Sequence, residues 1–170
     1  MTLPVSLPPI DGECRPPRPP AVVLIPFSDD DTPRILEMLA HPQLRERIFD
    51  RKERRVTYAQ ACEQWTFTSR ADIVRWTVRE RLGGPAVGCL LIEDGTLAYF
   101  ICPTRWACGL GSGALARLVQ DGHAPPNLEA IVERDNVASR RMLERCGFRF
   151  VGLHHRGPRA STCLKYKLNP

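Results

Sequence analysis

Apolar residues recur along this chain with two periods, and the changes between them lay out the elements. Ala21-Val22-Val23-Leu24-Ile25-Pro26 is a short continuous apolar run and predicts a first strand. Ser28-Asp29-Asp30-Asp31 supplies side-chain oxygens that cap a helix running to about Ala40, with Ile35, Leu36 and Leu39 on its inner face. Thr57 or Tyr58 starts a second helix, which continues through Trp65. Val74, Trp76 and Val78 then alternate with Arg75, Thr77 and Arg79, the period of a half-buried strand. Residues 86–92 and 96–102 flank Asp94-Gly95, a two-residue hairpin signal. Both are apolar on both faces, which places them centrally in a sheet covered on each side. Leu110, Ala114, Leu115, Leu118 and Val119 return to the helical period, and Pro125-Pro126 breaks it within a loop at 122–127. Residues 128–133 predict another strand. Asp135 or Asn136 caps a helix ending at Cys146, where Gly147 takes the left-handed closing position. Strands at 148–152 and 163–168 finish the chain, joined by a polar loop with His154, His155, Arg156 and Arg159. The order βααβββαβαββ is that of an α/β domain, a mixed sheet with helices on both faces.

Composition narrows the class. A chain of 170 residues with 43% hydrophobic and 25% charged content is one soluble domain with a real core. Residues 1–20 hold seven prolines, from Pro4 to Pro20, and read as a flexible arm ahead of a domain at 21–170. No apolar run approaches the roughly 20 residues of a membrane span, and no secretory signal opens the chain. The seven cysteines are odd in number and scattered through apolar runs, as buried thiols in a reducing compartment are. These features predict a cytoplasmic protein. Without a C-x-x-C pair, no metal is expected. The net charge of +5 is carried almost wholly by arginine, the only lysines being Lys52, Lys165 and Lys167. Runs such as Arg51-Lys52-Glu53-Arg54-Arg55 read as a solvated surface, so nucleic acid is not the expected partner.

The chemistry gathers at Arg105-Trp106-Ala107-Cys108-Gly109-Leu110-Gly111-Ser112-Gly113, between the apolar run at 97–102 and a helix. The first amides of a helix have no partner within it, and the helix dipole adds to their pull on an anion. Glycine lets the backbone approach closely. The segment is built to hold a phosphate or pyrophosphate. Gly109-Leu110-Gly111-Ser112-Gly113-Ala114 also fits the dinucleotide fingerprint G-x-G-x-x-A, with Glu129 or Glu133 near its acidic position. Six residues separate Cys102 from Gly109, however, whereas a dinucleotide turn follows its strand at once. Too little chain also remains for the other strands of such a fold. A helix N-terminus lowers a thiol's pKa, but Cys108 is read as a loop residue.

A second pattern, Asn136-x-x-Ser139-x-x-x-x-Glu144-x-x-Gly147-Phe148, follows the W-x-x-G-x-G loop by about 25 residues. Together the two motifs resemble the Gcn5-related N-acetyltransferase superfamily over residues 22–168, and most of all its ribosomal-protein N-terminal acetyltransferase branch. The resemblance implies a mostly antiparallel mixed sheet of six to seven strands with helices on both faces. It also implies acetyl-CoA as cosubstrate and a primary amine as acceptor, on a protein N-terminus or a small molecule. By it, the amides of Cys108, Gly109, Leu110, Gly111, Ser112 and Gly113 hold the pyrophosphate, with Trp106 and Ala107 leading into the loop and Arg105 or Arg140 as supporting cations. A splayed or bulged strand from Tyr99 to Cys102 offers its backbone to the pantetheine, at Phe100, Ile101 and Cys102, and the N–H of Ile101 or Cys102 to the thioester oxygen. Asn136 bridges the strands and the pantetheine, or only caps its helix. The tyrosine that protonates the departing thiolate in relatives is Leu143 here, leaving Ser139 as donor, or as a serine that only satisfies the helix end. Relatives carry a basic glutamate at the position of Ile131. Glu133, two residues on and so on the same face, is the candidate base, with a water chain as its rival. A coenzyme-binding or RNA-facing module without catalysis is the alternative reading. Monomer and homodimer both remain open.

Overall fold

In a computed structural model, residues 21–48, 57–66, 72–155 and 162–168 are described. The proline-rich arm, Cys14, the run at 51–55 and the Arg156 and Arg159 loop lie outside them.

Seven strands form one sheet: β1 (Val23–Pro26), β2 (Ile73–Arg79), β3 (Ala86–Glu93), β4 (Thr96–Ile101), β5 (Glu129–Glu133), β6 (Phe148–His155) and β7 (Thr162–Leu168). Their order is β1-β2-β3-β4-β5-β7-β6, and every pairing is antiparallel except β4 with β5. Helices α1 (Thr32–Leu39), α2 (Pro42–Ile48) and α3 (Tyr58–Thr66) cover one face. Helices α4 (Leu110–Gln120) and α5 (Val137–Arg145) cover the other. The predicted α/β fold class holds.

Two apolar layers follow from the strand period. On β4, Leu97, Tyr99 and Ile101 pack on the α4–α5 side, while Ala98 and Phe100 pack on the α1–α3 side. At the β3–β4 turn, Asp94 (φ 48°) and Gly95 (φ 70°) are both left-handed, as a tight hairpin requires. Gly88 marks a closer approach on the same pair. A Cβ there would lie 2.5 Å from the Phe100 carbonyl oxygen and 2.7 Å from Ile101 Cδ1.

The structure corrects four local readings. Val74 is 52% exposed whereas Arg75 and Thr77 are buried, so β2 is not apolar on one face and wet on the other. The Arg75 guanidinium is drawn in because its Nε and Nη2 both donate to the Gln64 carbonyl in α3, at 2.9 and 2.7 Å. On α1, Met38 takes the inner place expected of Leu36, which is half-buried. The seven-residue α2 buries Leu44 alone and so has no apolar period to read. Last, β6 runs on to His155, so His154 and His155 belong to a strand and not to the loop.

Candidate active site

The last rungs of β4 lead directly into the glycine-rich turn. After Ile101 the chain makes one 3-10 turn at Pro103–Arg105, with Arg105 N–H donating to the Cys102 carbonyl at 2.8 Å and Trp106 N–H to that of Pro103 at 3.2 Å. The Trp106 indole folds back and donates Nε1–H to the Ile101 carbonyl at 2.7 Å. The Arg47 guanidinium lies over its ring, 4.7 Å from the centroid. Ala107 (φ 60°) and Gly109 (φ 75°) are left-handed, and Gly109 is the N-cap of α4.

The helix ladder begins at Gly113, whose N–H donates to the Gly109 carbonyl at 2.9 Å. The N–H groups of Leu110, Gly111 and Ser112 therefore project past the helix end as a cluster of donors. Gly113's amide, expected among them, is spent inside the helix. Ala107, Cys108 and Gly109 are exposed, and Cys108 Sγ donates to the Trp106 carbonyl at 3.5 Å. The Leu110 side chain points into the core.

Both supporting cations have a partner in the fold, while Arg105 Nε and Arg140 Nε and Nη2 are buried with no hydrogen bond. Arg105 forms a surface ion pair with Glu80. Arg140 is 5% exposed, donates Nη1–H to the Arg134 carbonyl at 3.1 Å, and sits against the Tyr166 hydroxyl. Its neighbour two residues on, Met142, faces α4: a Cβ on Gly111 would meet Met142 Sδ at 2.7 Å. Two residues along a helix turn roughly 200°, so Arg140 points away from the α4 end. The guanidinium is thus turned away from the amide cluster, against its predicted place on the phosphate.

Beside this turn the sheet comes apart. The ladder between β4 and β5 holds for two rungs, Thr96 with Glu129 and Leu97 with Ala130, and then the strands part. Cys102 N–H is engaged by the Val87 carbonyl of β3 at 2.8 Å. Alternation along a strand then turns the N–H groups of Tyr99 and Ile101 the other way, into the gap. Of the two amides proposed for the thioester oxygen, only Ile101's faces it. The Phe100 side chain leaves on the opposite face, edge-on to Trp65 at 4.8 Å between centroids.

At the head of α5, Asn136 Oδ1 accepts the Ser139 N–H at 3.2 Å, so Asn136 does cap its helix. The Ser139 side chain adjoins the hydroxyl of Tyr99, which reaches it from β4. Leu143 is fully buried. Cys146 Sγ donates to the Ser112 carbonyl at 3.7 Å and completes the seam between α4 and α5.

Glu133 ends β5. Ala130 and Val132 enter the α4–α5 core, so Glu129, Ile131 and Glu133 occupy the other face, as expected. There Glu133 is in register with Cys163 of β7, and Cys163 with His154 of β6. One rung pair away, Lys165 Nζ donates to Glu129 Oε2 at 2.7 Å, and this hydrogen bond holds the Glu129 carboxyl below its ordinary value. Counting rungs onward from the two formed, Glu133 lies across the gap from Phe100. Sequence reading missed His154 in this row and Tyr99 at Ser139. Tyr99 gave a signal, as the one polar-tipped side chain in the apolar run 97–102.

Among the described residues no group of three or more metal-ligating side chains forms, and no helix is long and apolar enough to cross a membrane. A search of curated proteins finds no match. Among solved structures, the fold is similar to that of an aminoglycoside acetyltransferase, AAC(6')-Ib, in complex with coenzyme A (TM-score 0.66, 16% identity, covering 88% of this chain and 95% of that one). It is similar to Mycobacterium smegmatis RimJ in complex with CoA-disulfide (TM-score 0.66, 20% identity, 88% and 83%). It is also similar to a chimera of the spermidine N-acetyltransferase SpeG from Vibrio cholerae and hSSAT (TM-score 0.65, 12% identity, 87% and 95%). Residues 21–149 match the sequence model described as Acetyltransferase (GNAT) domain, and the chain belongs to that family.

Proposed function

We propose that this protein is an acetyl-CoA-dependent N-acetyltransferase that passes an acetyl group directly to a primary amine, with both substrates bound at once. The observation that carries this is the parting of β4 from β5 beside the amide cluster of α4. An arm with amide groups fits a parted sheet because the gap offers strand hydrogen bonds, and a pyrophosphate fits a helix end of unpartnered N–H groups.

In this reading Leu110, Gly111 and Ser112 hold the pyrophosphate through their amides, and Trp106 closes the gap at the Ile101 carbonyl. Ile101 N–H donates to the thioester oxygen as it gains charge. Ser139 stands near the sulfur. Glu133, on the α1–α3 side of the gap, takes a proton from the incoming amine, whose pKa of about 8 to 10.5 would otherwise keep it charged and inert. Among the similar solved structures, an aminoglycoside acetyltransferase with paromomycin and acetyl-CoA supports a small-molecule amine as acceptor, and a putative ribosomal-protein-serine acetyltransferase from Vibrio cholerae supports a protein acceptor. The site lies in a cytoplasmic protein, monomeric or dimeric.

The test is thiol release from acetyl-CoA across N-terminal peptides, amino acids, polyamines and aminoglycosides, with a blank lacking acceptor. Acceptor-dependent release is expected for one class. Coenzyme binding with no release for any class would favour a binding module instead.

A further inference from the structure

On the α1–α3 side, the gap between β4 and β5 opens between banks of unlike charge. The β5 bank carries Glu133, in register with Cys163 and, through it, with His154. The β4 bank carries Trp106, half-buried against the α1–α3 layer and tied to the Ile101 carbonyl. Over that ring lies the guanidinium of Arg47, an exposed residue in the last turn of α2. Two other arginines at this end of the sheet are already spent, Arg105 on Glu80 and Arg79 on Asp31. No carboxylate among the described residues pairs with Arg47. Glu46, its neighbour, stands two residues, or roughly 200°, past the buried Leu44 and so turns outward. The ring's negative face holds the guanidinium while its N–H donors stay available. A long side chain fixed in advance loses less freedom when it takes a ligand.

We infer that Arg47 determines acceptor specificity by binding a carboxylate carried close to the reacting amine. This deepens the acetyltransferase reading and rests on it. The acceptor lies across the gap, its amine toward Glu133 and its carboxylate toward Arg47. A guanidinium receives a carboxylate through two parallel N–H···O bonds, which orient the ligand as well as attract it. Two sources share this chemistry: the carboxylate of a free amino acid, and an acidic side chain beside a peptide N-terminus. Polyamines and aminoglycosides instead bring further cations to the place that Arg47 holds, and like charges there repel. The α2 helix adds to that bias, because its Arg45 also lies over an aromatic ring, that of Tyr58 at 4.8 Å from the centroid.

Acetyl transfer by the whole protein to two matched pairs of acceptors tests this. One pair is a C-terminally amidated peptide with glutamate or glutamine at its second position. The other is alanine and alaninamide. Each pair differs only by a carboxylate turned into an amide, and the pair that shows a preference names the source. In one of them kcat/KM for the carboxylate is expected to exceed that for the amide by about tenfold or more. Spermidine and an aminoglycoside should be slower than that carboxylate acceptor. Arg47→Gln should bring the ratio to within about twofold, and Arg47→Glu should reverse it. Equal use within both pairs by wild type would overturn the role of Arg47 while leaving the acetyltransferase reading intact. So would faster use of either polycation, or a preference that survives in both variants. Variants that lose both members of a pair alike would mark Arg47 as a support for Trp106, against the proposal. No transfer to any acceptor by wild type would overturn both readings.

Discussion

Single side chains here separate by whether their partners lie in the fold or outside it. Arg140 is held within: Nη1 donates to the Arg134 carbonyl and the guanidinium lies against Tyr166, whose hydroxyl donates to Glu144 Oε1 at 2.9 Å, although Nε and Nη2 are buried with no hydrogen bond. Arg140→Ala should therefore lower stability by about 2–3 kcal/mol, read by denaturant unfolding, because it empties a packed polar site. Coenzyme affinity should stay within twofold, and a loss of tenfold or more would put the guanidinium back at the phosphate. The thiols sort in the same way. Cys108 is exposed, Cys62 and Cys146 are half-buried, and Cys89, Cys102 and Cys163 are buried. Among these, iodoacetamide at pH 8 should label Cys108 first, and burial, which raises the pKa of Cys146 and Cys89, should delay both. Mass spectrometry of timed digests gives the order, and early labelling of Cys89 would contradict the packing. At this scale the sequence was least legible. Nothing in the β2 alternation tells that Arg75 goes in and Val74 out, because the decision rests on the Gln64 carbonyl, which lies on another element, α3.

Elements were more legible, wherever a local signal closes them. Asp94-Gly95 and Gly147 each sit at the positive φ that their turn or cap demands, so hairpin and helix end were readable from two residues and one. The pyrophosphate turn was readable from its glycines, but not the use of Gly113's amide, which depends on where α4 begins. The parting of β4 and β5 left no trace in the apolar period, which both strands keep through it; the splayed strand at 99–102 was expected from the family resemblance alone. Two substitutions test the elements directly. Ser112→Asp places a carboxylate in the first turn of α4, where the dipole favours it by about 0.3–1 kcal/mol. The same charge should repel a pyrophosphate, so melting temperature should rise while acetyl-CoA affinity falls at least about tenfold. Parallel movement of the two would mean the anion does not bind there. Gly88→Ala forces a methyl onto the Phe100 carbonyl and should cost about 1–3 kcal/mol by overpacking. A neutral result, measured by thermal unfolding, would show that β3 and β4 can separate freely.

Across the whole molecule, the sheet is two antiparallel blocks, β1 to β4 and β5-β7-β6, hinged on two parallel rungs and roofed by α4 and α5. Ligand bound in the gap would complete the sheet, so the Tyr99 and Ile101 amides should exchange hydrogen more slowly when coenzyme A is added. Unchanged exchange at both would place the ligand elsewhere. The block containing Glu129 and Lys165 should also loosen in acid. The carboxyl is held low in the fold, so its contribution is present above the ordinary carboxylate pKa and fades as pH falls through the lowered value. The parted strands have one more consequence. On β4 the inward amides recur every second residue, at a repeat of about 6.6 Å fixed by strand geometry. The gap is therefore a ruler as well as a slot. A coenzyme analogue with one extra methylene between its two amides would match the ruler at one end only. The loss of one hydrogen bond should weaken its binding by about five- to tenfold, whatever amine the acetyl group is meant for.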